Sequence, residues 1–141
     1  MQNKLTDKTI NLIKESAAII TKYSPQITLR MYVILFDKHP EMKKIFENSP
    51  EDQYMKLAQA LSAYAVNIEK LHILTPALEM IAKDHNKHNV LPSHYPIVGM
   101  ALIEAMEDIL NDNASLELID AWREAYKHLA SVLIELQKKV N

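Results

Sequence analysis

Apolar side chains recur every three or four residues along almost the whole chain, and polar or proline-bearing breaks divide that pattern into blocks. Behind the polar start LTDKT, Ile10, Ile13, Ala17 and Ile20 fall on one face, which predicts a helix from about Asp7 to Tyr23. Ser24-Pro25 should end it, because proline lacks the N–H that an interior helical position uses. Pro25 then opens a second helix with Leu29, Tyr32 and Phe36 on one face, stopping near KHP before Pro40. A short helical piece, EMKKIFEN, follows. SPED is a start signal: Ser49 can cap, Pro50 suits the first helical position and Asp52 complements the helix dipole. That helix should run to about Lys70. TPALEMIAKDH starts in the same way with Thr75 and Pro76, and a loop around NKHNVL separates it from PSHYPIVGMALIEAMEDIL. Pro96 is tolerable there because the first helical N–H groups lack partners anyway. After the break NDNAS, Leu118, Trp122, Ala125, Leu129, Val132, Leu133, Leu136 and Val140 form the stripe of a long last helix.

About seven helices with no strand signal predict an all-α domain around one core. Short middle helices between longer ones suit a fold wrapped around something, such as a cofactor. A chain of 141 residues, 48% of them hydrophobic, is expected to form a single domain, 1–141. The single glycine, Gly99, leaves almost nothing for tight hairpins. With no cysteine, disulfides, thiolate metal sites, iron–sulfur clusters and cysteine nucleophiles are excluded. The start MQNKLTDKTINLIKES is too charged for a signal peptide, and no run approaches the ~18 apolar residues of a membrane span, so a soluble cytoplasmic protein is expected. The formal charge of −2, with lysines spread along the chain, gives no footprint for nucleic acid or anionic membrane.

Three polar residues sit on apolar faces. Leu78, Ile81, Ala82 and His85 follow the i, i+3, i+4, i+7 spacing, so His85 projects from an otherwise apolar stripe. Such a histidine is hydrogen-bonded, ligates a metal, or carries a desolvation cost. His88 is spaced to pair with it on zinc, but no Asp, Glu or Cys completes a ligand set. His94 begins a helix beside Tyr95, where exposure is expected, and His39, His72 and His128 read as surface residues. Gln53 begins the stripe Leu57, Leu61, Ala65 and Ile68, and Tyr32 shares a face with Leu29 and Phe36, so its hydroxyl needs a buried partner or a ligand. Each residue taken singly also suits core packing. Together they could line a mostly apolar pocket with few polar groups.

The segments MYVILFDKHPEMKKIF, DQYMKLAQALSAYAVNIEKL, IAKDHNKHNVLPSHYPIVG and LIDAWREAYKHLASVLIE occur in an order and spacing that resembles the globins. Within them it resembles the bacterial flavohaemoglobins and their single-domain relatives. The resemblance implies a globin fold around a b-type haem, with His85 as the proximal iron ligand, while His88 and His94 match no family ligand. It also implies a distal side formed by Tyr32, Gln53 and Leu57, with Phe46 against the porphyrin. Ile81, Val90, Tyr95 and Val98 complete the implied haem contacts. Tyr95 matches the family tyrosine behind the proximal histidine. The family's accompanying Glu is not matched: counting without gaps from Trp122 places Gln137 there, with Glu135 close by. Asp84 stands where several relatives have Lys.

Flavohaemoglobins continue into flavin- and nicotinamide-binding domains, whose Gly-rich loops cannot lie in a sequence with one glycine. The expected function is therefore reversible oxygen binding, with nitric oxide oxidised to nitrate by means of a separate reductase. Oxygen and nitric oxide are the expected gas ligands and carbon monoxide a further one, in a monomer or homodimer. The alternative is a non-enzymatic oxygen carrier, buffer or sensor. A helical interaction module with a dry core is the reading outside the family.

Overall fold

The computed structural model describes residues 5–47 and 53–140. The first element, α1, spans Asp7–Lys38 as one continuous helix of 32 residues, capped by Thr6, whose side chain accepts from the Thr9 N–H. The expected break at Ser24-Pro25 therefore does not occur. Pro25 removes the N–H that would bond the Thr21 carbonyl, but the Ser24 hydroxyl donates to that oxygen at 3.2 Å. The Thr28 hydroxyl donates to the Pro25 carbonyl at 3.2 Å and to the Tyr54 carbonyl at 2.9 Å, which ties the proline turn to the next long helix. Local side-chain bonds thus carry the helix through its proline, and burial of Ile20, Ser24, Ile27 and Met31 seats the same stretch in the core.

A 3₁₀ turn, Pro40–Met42, leads into the short α2, Lys43–Phe46. The start signals Ser49, Pro50 and Asp52 lie outside the described residues. α3 spans Gln53–Val66 and stops short of the expected Lys70. Both the main-chain and side-chain N–H groups of Asn67 donate to the Ala63 carbonyl, at 3.0 and 2.9 Å, so its amide competes for the helical ladder and the chain passes into a 3₁₀ segment, Ile68–Leu74. α4 spans Thr75–Lys87, and Asn89 beyond it takes a positive φ of 59°, a conformation asparagine tolerates. α5 spans His94–Leu110, a 3₁₀ turn covers Asn111–Asn113, and α6 spans Leu116–Lys139 with Ser115 capping the Leu118 N–H.

α1 packs on α3, α5 and α6, and α4 packs on α6. The core carries Trp122 and Met106 fully buried, with Ile13, Ile20, Ile27, Met31 and Leu35 from α1 beside them. Tyr64 donates to the Ala125 carbonyl at 3.2 Å and lies 6.1 Å from the Trp122 ring. Leu29, expected on the same inward face as Tyr32, is instead 48% exposed, because the buried stripe of α1 runs through Ile27, Thr28, Met31 and Leu35. Gly99 sets the closeness of α5 to α6: a Cβ there would lie 2.5 Å from Tyr126 Cε2. The Tyr126 hydroxyl donates to the Tyr95 carbonyl at 2.7 Å, across that contact.

Candidate functional site

His85 lies in the last turn of α4, half-buried, and its Nδ1 is 2.8 Å from the Tyr95 hydroxyl on the first turn of α5. The Tyr95 hydroxyl donates in turn to Gln137 Oε1, near the end of α6. A hydroxyl that gives its proton to an amide oxygen is left to accept, so Nδ1–H of His85 is the donor and Nε2 carries the free lone pair. Burial holds the His85 imidazole below its ordinary pKa, against the opposing pull of the Asp84 carboxylate, and this favours the neutral ring. Burial pushes the Tyr95 phenol up to about 12, so it stays a hydroxyl. Gln137, and not Glu135, meets Tyr95: Glu135 is exposed and pairs with Lys138 at 3.2 Å.

The other group of candidates gathers at the C-terminal half of α1. Tyr32 stacks on Phe36 with ring centroids 5.7 Å apart and meets the Phe46 ring edge-on at 5.3 Å, and Phe36 and Phe46 lie 5.6 Å apart. Burial raises the Tyr32 phenol to about 12, so it stays a hydroxyl. Gln53 and Leu57 occupy the first turns of α3, half-buried, one turn apart on the stripe that continues into buried Leu61 and Ala65. Ile81, Val90 and Val98 are also half-buried.

Three further histidines have other surroundings. His88 donates from Nδ1 to the Asp84 carbonyl at 2.8 Å, and His94 Nδ1 accepts from the Leu91 N–H at 3.0 Å. His128, expected at the surface, is half-buried, and its Nδ1 is enclosed with no hydrogen-bond partner among the described residues. Among the described residues no three His, Cys, Asp or Glu side chains converge on a metal position.

The donor set fits haem. It offers one neutral imidazole with a free Nε2 and several large apolar side chains left half-covered in a chain that buries others fully. α3, with Gln53 and Leu57, rests on α1, whereas α4, with Ile81 and His85, rests on α6, and among the described residues no substantial packing joins α3 to α4. The larger groove described, about 720 Å³ between α5 and α6, contains Tyr95, Gly99 and Tyr126 but none of the other candidates.

The sequence profile of the globins matches residues 29–133. The chain belongs to the globin family. Membership implies haem and a diatomic ligand. An uncharacterised globin-like protein of Aquifex aeolicus is 42% identical over 136 residues, with 96% of both chains covered. A flavohemoprotein of Halalkalibacterium halodurans is 35% identical over 96% of this globin, which spans 34% of that protein's length. An engineered carbene transferase from Rhodothermus marinus, for which nitric oxide dioxygenase activity is proposed, superposes with a TM-score of 0.92 at 34% identity, covering 96% of this globin and 95% of that chain. Among the described residues no helix is long and apolar enough to cross a membrane.

Asn86 and Tyr126 are functional candidates that sequence reasoning passed over. Asn86 bonds Gln137 across 51 positions, and Tyr126 bonds the main chain of Tyr95 across 31. Neither contact leaves a periodic trace in the sequence.

Proposed function

We propose that this globin holds haem b through His85 Nε2 and binds oxygen reversibly, and that with a separate cytoplasmic reductase it oxidises nitric oxide to nitrate. The observation that carries the reading is the relay from His85 through Tyr95 to Gln137, which commits one ring nitrogen and frees the other. Bound haem supplies an iron centre that takes a diatomic gas and accepts electrons one at a time. Phe46, Leu57, Ile81, Val90 and Val98 would cover its apolar faces and exclude water. Tyr95 and Gln137 keep the His85 proton on Nδ1 and fix the ring plane. Tyr32 would donate a hydrogen bond to the gas ligand, and Gln53 would support or gate it. The neutral side chain of Tyr32 suits that role, since burial opposes its ionisation.

One feature favours the second reading, an oxygen carrier, buffer or sensor. The residue behind Tyr95 is an amide, and an amide pushes less electron density through the imidazole than a carboxylate does. Spectra of the reduced protein with and without carbon monoxide test haem coordination. Nitric oxide consumption over many turnovers with a reductase then separates the readings: sustained consumption supports the dioxygenase, and consumption that stops after the bound oxygen is spent supports the carrier.

A further inference from the structure

Asn86 follows the proposed ligand directly, and both ends of its amide are engaged. Oδ1 accepts from Gln137 Nε2 at 2.9 Å, while Nδ2 donates to the Gln137 carbonyl at 3.0 Å and to the Val140 carbonyl at 2.9 Å. These carbonyls belong to the end of α6, where a helix runs out of its own donors. Gln137 Nε2 donates a second time, to the Val90 carbonyl at 3.0 Å, and the Val90 N–H donates to the His85 carbonyl at 2.9 Å. The Gln137 amide is thereby held in one orientation. Reversed, it would set Oε1 against Asn86 Oδ1 and the Val90 carbonyl and turn an NH₂ toward the Tyr95 hydroxyl. Asn86 cannot turn over to relieve this, because its Nδ2 is held by two carbonyls of α6.

We propose that Asn86 is a positioning residue for the proximal imidazole: it fixes the Gln137 amide so that Oε1 always accepts from Tyr95, and the Tyr95 oxygen is left to accept from His85 Nδ1–H. The consequence for iron rests on His85 being its ligand, whereas the amide interlock does not. Asn86 has a separate task as a cap for α6, so the two roles can be told apart by a double-mutant cycle.

The test compares the parent with Asn86→Ala, Gln137→Met and the double variant. Each is followed by the Gln137 side-chain amide resonances with and without haem, where Gln137 is present, by the Fe–His Raman band of the ferrous protein, and by Tm. The parent should show two distinct, exchange-protected Gln137 amide protons. Asn86→Ala should lose that protection and broaden or shift the Fe–His band. In the Gln137→Met background the same change should leave the band where it is, yet still lower Tm through the lost cap. Asn86→Asp, which keeps the acceptor for Gln137, should retain the protected amide while Tm falls, and it serves if Asn86→Ala does not fold. The proposal is overturned if Asn86→Ala keeps the parent's amide pair and Fe–His band, if its band shift is equal in both backgrounds, or if Asn86→Asp loses the amide protection. A parent protein without an Fe–His band overturns the haem reading alone, since the Gln137 resonances still report on the interlock.

Discussion

A single hydroxyl separates Tyr32 from a phenylalanine, and it is the group proposed to act on the gas ligand. A hydrogen bond to a charged partner contributes about 1.5–3 kcal/mol, so Tyr32→Phe should speed oxygen dissociation roughly 10- to 150-fold in stopped-flow measurements. An unchanged rate would mean that the hydroxyl points elsewhere. Gln137→Glu keeps the acceptor for Tyr95 but removes the donor that serves Asn86 Oδ1 and the Val90 carbonyl. Setting a carboxylate against two acceptors should lower stability in urea by about 1–3 kcal/mol; an equal or higher midpoint would show that the amide orientation is not needed. His85, Tyr32 and Gln53 were legible because each interrupts an apolar stripe, which periodicity exposes. Asn86 was not, because it sits off the stripe and its meaning depends on the end of a helix far along the chain.

Helix boundaries followed the sequence where a cap acts alone, as at Thr6 and Ser115, whereas Thr75, read as a cap, is already helical and α4 starts behind Leu74 with no side-chain cap bond. They departed from it where side chains compensate. Pro25 reads as a terminator, yet Ser24 supplies the missing bond to Thr21 and the core buries both flanks, so α1 continues. An interior proline costs a helix about 3 kcal/mol when nothing compensates. Pro25→Ala should therefore raise the urea stability of the fold by about 1–3 kcal/mol, and Ser24→Ala alone should lower it; a destabilising Pro25→Ala would show that the turn is needed as it stands. At the other close contact, Gly99→Ala drives a methyl into Tyr126, whose hydroxyl is already engaged with the Tyr95 carbonyl. Overpacking of this kind costs about 1–3 kcal/mol, and the His85 resonances should shift with it because Tyr95 must move. Full stability in that variant would contradict the tight seating of α5 on α6.

Across the whole molecule, the all-α class and the globin likeness were readable because every long segment carries the same helical period and the motifs keep their order. The spacing apart of α3 and α4 was not readable, since it depends on which partners each helix finds. Neither was the enclosure of His128 Nδ1, which has no hydrogen-bond partner among the described residues. Burial lowers the pKa of that imidazole from its usual 6.5, so the unfolded chain takes up the proton more readily than the folded one. Its contribution to stability is thus complete above pH 6.5 and declines as the pH falls through that value toward the folded-state pKa. The urea midpoint should drop with acidification over that range, and His128→Gln should flatten part of the slope; an identical slope would place the loss elsewhere. The central claim, that His85 binds haem iron through Nε2, is tested most directly by the Fe–His stretching band of the ferrous protein. The band should be present in the parent and in His88→Ala, absent in His85→Ala, and restored to the latter by added imidazole. A His85→Ala protein that keeps the parent's band and haem content would contradict it.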